Sequence, residues 1–460
     1  MRISASPQHQ TQPTPKLVWI AICLLALGSG LWILTRLIFL DAKTKLQPTV
    51  PRLPQDAYIQ AYFNQSQANV YTEPYRNLQR HGDNLEQTII TAIDQAQTSI
   101  DVAVQAFDLP LIAEALNRSA QRGINVRFIL ENQYAGETFP SKAHDNSPPP
   151  GPNTALALLR HSAIPIIDDT ADGSKGSGLM HHKFVIVDNR WVLTGSANFT
   201  YSGIHGDLHE PQSRGNANAL IKIDSPAIAE KFTAEFNQMW GDGPNQQPNS
   251  KFGLQKRIPP AQRIQLPTGP VTVQFSPLSK TKPWENSTNG LITRTLSQAQ
   301  NNIDLALFVF SDQNIANQLQ SQSASTTQLR VLIDPAFIYR SYSEAIDMLG
   351  IALPDQRCHI EANNQPWENP ITTVGTPQLS PGDKLHHKFA IIDHSTLIIG
   401  SHNWSQAANN QNDETLLIIE NPTVAAHFSR EFERLNHEAK LGKTHQLQRK
   451  IKAAQKRCGE

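Results

Sequence analysis

Cysteine is scarce in this chain. Three occur in 460 residues, Cys23, Cys358 and Cys458, far apart and without C-x-x-C spacing. That pattern indicates neither a disulfide framework nor a zinc site. Net charge is also missing: 40 Lys and Arg balance 40 Asp and Glu. A dedicated nucleic-acid binder is usually basic, so this balance argues against one. No metal-ligand spacing stands out, and His209-Glu210 reads as part of a solvated loop. Neither a metal nor any other cofactor is expected. With 17% charged and 39% apolar residues, most of the chain should be globular, and its length suits two or three domains.

The N-terminal region holds a long apolar run. Leu17 to Thr35 is apolar apart from Gly, Ser and Thr. A helix that long spans about 28 Å at ~1.5 Å per residue, close to the ~30 Å hydrocarbon core. Residues 17–40 are therefore expected to form a single-pass membrane anchor after a disordered tail at 1–16. A cleaved signal segment is the alternative, with Ala26-Leu27-Gly28 as a small-residue site. Arg2 and Lys16 precede the segment, while Arg36, Lys43, Lys45 and Arg52 follow it. By a thin margin this count favours a cytoplasmic globular part, and the side of the membrane stays open.

The centre and the end of the chain share one signature. His181-His182-Lys183-Phe184-Val185-Ile186-Val187-Asp188 leads, after six residues, into Gly195-Ser196-Ala197-Asn198. His386-His387-Lys388-Phe389-Ala390-Ile391-Ile392-Asp393 leads, after the same gap, into Gly400-Ser401-His402-Asn403. On a strand, side chains alternate faces. His181 and Lys183 then share a face, as do His386 and Lys388, while His182 and His387 point away. The apolar residues 184–187 read as a strand buried on both faces. A phosphodiester repels nucleophiles, so its cleavage needs a nucleophile, an acid for the leaving oxygen, and cations or donors on the other oxygens. Two histidines can divide the first two tasks. Lys183, Lys388, Asn198 and Asn403 can perform the third.

This pattern resembles the duplicated HKD motif of the phospholipase D superfamily, and the resemblance covers most of residues 57–437. It implies that the two motifs meet at the interface of pseudo-symmetric halves. His181 would be the nucleophile, forming a phosphohistidine, and His386 the general acid and then the base. Lys183, Lys388, Asn198 and Asn403 would hold the phosphate, with Ser196 and Ser401 adding hydrogen bonds. Asp188 and Asp393 belong to the signature but lie at the strand end, so they are expected to orient structure rather than transfer protons. Similar proteins often carry an acidic residue after the motif that hydrogen-bonds a catalytic histidine. Glu414 fits that role, whereas its first-copy counterpart is the neutral Asn218. Three activities stay open: hydrolysis of phospholipid head groups, nucleic-acid cleavage, and a cardiolipin-synthase-like phosphatidyl transfer. A phospholipid membrane is the expected partner, with nucleic acid as the alternative. Because both motifs lie in one chain, the active form is expected to be a monomer.

The repeat extends beyond the motif. Residues 93–107 (IDQAQTSIDVAVQAF) parallel 296–310 (LSQAQNNIDLALFVF). A second strand follows in each copy, at 126–130 and 329–333, and the first copy has a helix between its strands, stopped by Gly123. Ser225-Pro226 and Asn421-Pro422 each open a helix, with a capping residue followed by Pro. The expected fold is α/β, with two pseudo-symmetric α-β-α domains at 57–245 and 265–437 and mixed, largely parallel sheets. A Pro-rich linker at 41–56 precedes them and a linker at 246–264 joins them. Pro-rich insertions at 138–152 and 366–381 precede the motifs. A basic tail at 438–460 follows, read as a helix with Leu447 and Ile451 on one face.

Overall fold

Short β-rich runs in each copy assemble into a sheet, and the two sheets follow one plan. A computed structural model describes residues 46–135, 152–170, 178–244, 249–325 and 327–459. The tail at 1–16, the apolar segment at 17–40 and nearly all of the insertion at 138–152 lie outside the described residues. Among the described residues no helix is long and apolar enough to cross a membrane.

The first sheet holds β1 (Ile59–Phe63), β2 (Ser99–Val104), β3 (Asn125–Leu130), β4 (Ile166–Asp168), β5 (Lys183–Val187), β6 (Trp191–Gly195) and β7 (Ala219–Asp224). Their spatial order is β1-β7-β6-β5-β2-β3-β4. The second holds β8 (Gln262–Leu266), β9 (Gly269–Ser276), β10 (Asn302–Leu307), β11 (Gln328–Ile333), β12 (Val374–Thr376), β13 (Lys388–Ile392), β14 (Thr396–Gly400), β15 (Glu414–Glu420) and β16 (Lys440–Leu441). Its order is β8-β9-β15-β14-β13-β10-β11-β12-β16. Without the outermost β8 and β16, the two orders are the same.

The sheets are mixed, but not largely parallel. Only β2-β3-β4 and β10-β11-β12 run parallel. Their crossovers are helical: α1 (Pro110–Gln121) joins β2 to β3, and α2 (Gln313–Ser323) joins β10 to β11. The motif itself makes the rest antiparallel, because β5-β6 and β13-β14 fold as tight hairpins. Their turns hold Asp188 and Asn189, and Asp393 and His394, at positive φ. Asp and Asn are the non-glycine residues that tolerate this region best.

Two helices carry the halves' shared core. Ser225 caps α3 (Pro226–Trp240) by accepting from Ile228 N, and Asn421 caps α4 (Pro422–Asn436) by accepting from Thr423 N and Val424 N. Each crosses to the other half. Phe232 of α3 meets Phe275 of β9 at 5.2 Å, and Phe428 of α4 meets Phe63 of β1 at 4.8 Å, both edge to face. This geometry adds to the gain from burial. One apolar core therefore runs between the sheets, flanked by one core on the outer side of each.

The linker and tail differ from expectation. β8 begins inside the expected linker, and Lys256 of that stretch is buried. At the other end, β16 pairs with β12, and α5 (His445–Cys458) buries Leu447 and Ala454 in the second half's outer core. The basic tail is thus a packed part of that half. Cys458 forms a disulfide with Cys358, which corrects the expectation that no cysteines pair. The partners are 100 residues apart in sequence, and only packing of α5 brings them together.

Candidate active site

β5 and β13 lie at the centres of their sheets and are buried along their whole length. His181 and His386 immediately precede them, at the edge where the halves meet. There each half reaches into the other through the backbone. His181 N donates to Asp413 O and Asp413 N to Leu179 O, at 3.0 and 2.9 Å. Likewise His386 N donates to Ala217 O and Ala217 N to Lys384 O, at 3.0 and 2.8 Å. The next residue on each bridging segment then orients the histidine. Glu414 Oε2 lies 2.7 Å from His181 Nδ1, and Asn218 Oδ1 lies 3.0 Å from His386 Nδ1. The acidic residue of the second copy thus serves the histidine of the first.

These contacts set the tautomers. Asn218 Nδ2 donates to Gly203 O and Ser196 Oγ donates to Asn218 Oδ1. That oxygen can only accept, so His386 Nδ1 carries the proton. Glu414 accepts from Ser401 Oγ at 2.6 Å and likewise accepts from the Nδ1–H of His181. Nε2 is then the lone-pair nitrogen in each neutral ring. The two serines, expected to bind substrate, are occupied elsewhere. Each donates to an orienting side chain and accepts a backbone N–H, from Ala219 or Thr415.

Lys183 and Lys388 are 1% and 2% exposed. Their ammonium groups donate to the carbonyls of His181 and His386 at 2.7 and 2.8 Å. Lys183 also donates to Gln105 Oε1, which Asn198 Nδ2 reaches as well. Burial pulls the Lys183 pKa down to about 7 against the pull of Glu414. Burial, then Lys183, takes Lys388 well below its usual range. Burial followed by the two lysines also lowers both histidines well below theirs. Burial raises Glu414 against its cationic and hydrogen-bonding neighbours. Among the described residues neither lysine has a carboxylate within 4.0 Å; Glu414 acts on both from further away, and Asp334 on Lys388.

His182 and His387 point away from the site and are packed. His182 bonds Glu235 and Thr415, and His387 bonds Glu431. Each glutamate is balanced by a cation: the buried Lys256 for Glu235 and the partly buried Arg434 for Glu431. Lys256 also meets Asp413 at 2.6 Å. His402 is packed too, with Nε2 at 2.8 Å from Thr288 Oγ1.

Asp188 and Asp393 lie at the opposite ends of β5 and β13 from the histidines, so they are not part of the catalytic group. Asp188 accepts from Gln97 N, Thr98 N and Ser99 N, and Asp393 from Gln300 N, Asn301 N and Asn302 N. They fasten the motif's turn to the start of β2 or β10. Gln105 and Phe308, one residue beyond those strands, were not singled out in the sequence. The repeat could have found them, since it aligns Val104-Gln105 with Leu307-Phe308.

Two inward His-Lys pairs, each oriented from the opposite half, define a class of phosphodiester-processing protein. A profile of the family described as "Cardiolipin synthase, PLD-like domain" matches residues 89–240 and 292–436. The chain belongs to the phospholipase D superfamily. It is 27% identical over 160 residues to the mitochondrial cardiolipin hydrolase of Xenopus laevis, covering 35% of this chain and 63% of that one. It is 28% identical over 144 residues to phospholipase D of Rickettsia conorii, covering 31% and 58%. The chain thus spans less than two thirds of the length of these relatives. The solved phosphatidylserine synthase of Haemophilus influenzae shares the fold, with TM-score 0.57 and 12% identity over 89% of this chain and 92% of that one.

Proposed function

We propose that this protein is a metal-independent phosphodiesterase that hydrolyses phospholipid head-group phosphodiesters through a phosphohistidine. One observation carries the proposal: two histidines with Nδ1 engaged flank two buried lysines that, among the described residues, have no directly paired anion. A phosphodiester would supply that anion, and its non-bridging oxygens would meet Lys183, Lys388, Asn198 and Asn403. The carboxylate of Glu414 makes His181 the more basic ring, and hence the nucleophile. Paired only with an amide, His386 is the better acid once protonated. His181 Nε2 forms a bond to phosphorus as the bond to the leaving oxygen breaks, and His386 gives that oxygen its proton. Then His386 takes a proton from water, whose oxygen displaces Nε2 and yields a phosphomonoester.

The lipid substrate draws support from the apolar segment at 17–40, which would hold the catalytic part at a bilayer. The Cys358–Cys458 disulfide favours the oxidising side of that membrane over the side suggested by flanking charge. Phospholipid vesicles and, separately, single- and double-stranded DNA should be incubated with the full chain in EDTA. We expect head-group release, reduced to background by His181→Ala and by His386→Ala. DNA cleavage alone would replace the lipid assignment with the nuclease one. Activity restored only by added metal would overturn the mechanism.

A further inference from the structure

The charge balance of the whole chain conceals a local imbalance. Between Lys440 and Arg457 lie seven Lys or Arg and no Asp or Glu. The packing of α5 gives this imbalance a direction. With ~100° between successive residues, Leu447, Ile451 and Ala454 share one side of the helix. That side lies against the second half's outer core. His445, Arg449, Lys452 and Lys456 fall within about 60° of arc on the opposite side. All four are exposed. Helix stability does not account for this stripe. The macrodipole favours cations in the last turn and acids in the first, yet His445 opens the helix and its first turn has no acid. A merely solvated face would mix both signs.

The helix is fastened so that it cannot roll. At its start, Thr444 Oγ1 lies 2.7 Å from the Tyr339 hydroxyl. Along its flanks, Lys450 donates to Tyr339 O at 3.0 Å and Arg457 to Asp355 O at 2.8 Å. Cys458 is bonded to Cys358. Among the described residues, none of the seven cations has a carboxylate within 4.0 Å. Asp355, on the loop that the disulfide joins to α5, instead accepts from Arg357 N and His359 N. The segments that adjoin or fasten α5 also present Tyr342, Ile360 and Leu441, which are large, apolar and exposed. Elsewhere among the described residues this holds for Leu46 and Leu254 alone, so exposed apolar surface is concentrated beside the basic helix.

We infer that the outer face of α5, with its apolar neighbours, is a docking surface for an anionic phospholipid bilayer. A fixed row of unpaired cations is drawn to a negatively charged surface. Tyr342, Ile360 and Leu441 would enter the interface beside it. Nucleic acid would engage the cations but leave those apolar side chains without a partner. The apolar side of α5 is already packed on the protein, so the helix lies on the bilayer by charge instead of sinking into it. The surface is separate from the His-Lys site and does not depend on which phosphodiester that site cleaves.

The test uses the full chain carrying His181→Ala, so that lipid composition stays fixed and the outcome is independent of turnover. It is reconstituted with vesicles of phosphatidylcholine alone or with an equal part of phosphatidylglycerol. Exposed lysines are then labelled with an amine-reactive reagent, and the rates are read by mass spectrometry. Lys452 and Lys456 should label about fivefold more slowly on the anionic vesicles, with Lys231 and Lys251 on other segments unchanged. Salt at about 0.5 M, with a screening length of roughly 4 Å, should remove the difference. Arg449→Glu with Lys452→Glu should bring the Lys456 rates on the two lipids together. Both replaced side chains are exposed, so the double variant tests charge without opening the core. Equal labelling on the two lipids, or an undiminished difference in the double variant, would overturn the inference while leaving the phosphodiesterase standing. Protection of the same lysines by a short DNA duplex, with none from the vesicles, would also overturn it and give the surface to nucleic acid.

Discussion

Glu414 and Asn218 make two otherwise similar histidines different. A carboxylate on Nδ1 stabilises the imidazolium and raises basicity, whereas a neutral amide does so less. Glu414→Gln should therefore lower kcat by about 10- to 100-fold, the usual cost of losing such a partner. Retention of the wild-type rate would remove the basis for making His181 the nucleophile. Lys183 gives a proton count that does not depend on turnover. At a pKa of about 7 its amine is mostly neutral at pH 8.5 in the free site. A bound oxyanion favours the ammonium and raises that pKa, so phosphate or vanadate binding at pH 8.5 should take up protons. Calorimetry in buffers of different ionisation enthalpy reads the number directly. Zero uptake would mean that Lys183 is already charged.

The β5-β6 and β13-β14 hairpins are held by their turn aspartates. Burial tends to raise Asp188, but N–H groups of Thr98, Gln97 and Ser99 outweigh it and hold the carboxyl low. The ionised form is thus favoured by folding. Its stabilisation is present above the unfolded pKa of ~3.9 and is lost as pH falls through the lower folded value. Asp188→Ala should cost about 1–2 kcal/mol at pH 7, a modest figure because the carboxylate is partly exposed and screened. Urea unfolding at pH 7 and pH 3 should show the gap between wild type and variant closing at the lower pH. Loss of kcat in the folded variant would give Asp188 a part in catalysis.

The halves are locked together by more than apolar packing. Lys256, from the segment between them, joins Glu235 of the first half to Asp413 of the second, with its side chain fully buried. Lys256→Met would leave two buried carboxylates without their cation, at a cost of about 3–5 kcal/mol. It should lower the unfolding midpoint more than any exposed Lys→Met change, and an equal effect would deny the lock. The disulfide acts on the unfolded chain. By closing a loop of 100 residues it removes conformational entropy, worth about 2–4 kcal/mol. Reduction should lower the thermal midpoint while leaving Cys358→Ser with Cys458→Ser able to fold, because Leu447 and Ala454 still hold α5. An unchanged midpoint would mean that the bond does not form in the isolated protein.

Much of the candidate site was legible because its chemistry is local. His181, Lys183, His386 and Lys388 were identifiable from residue type and strand alternation, and the repeat marked the helices opened by Ser225-Pro226 and Asn421-Pro422. Strand direction was legible only where a helix joins two strands, as in the parallel pair β2-β3, and not at the motif hairpins. Periodicity shows which residues share a face, but not whether the neighbour in the sheet runs parallel. Partnership across long separations was not legible either. Glu414 bonds His181, 233 residues away, and Cys458 reaches Cys358 only because α5 packs on the second half. The sequence alone determined which groups could do the chemistry. The tertiary structure decided which histidine received the carboxylate, because the two copies exchange partners across the interface where they meet.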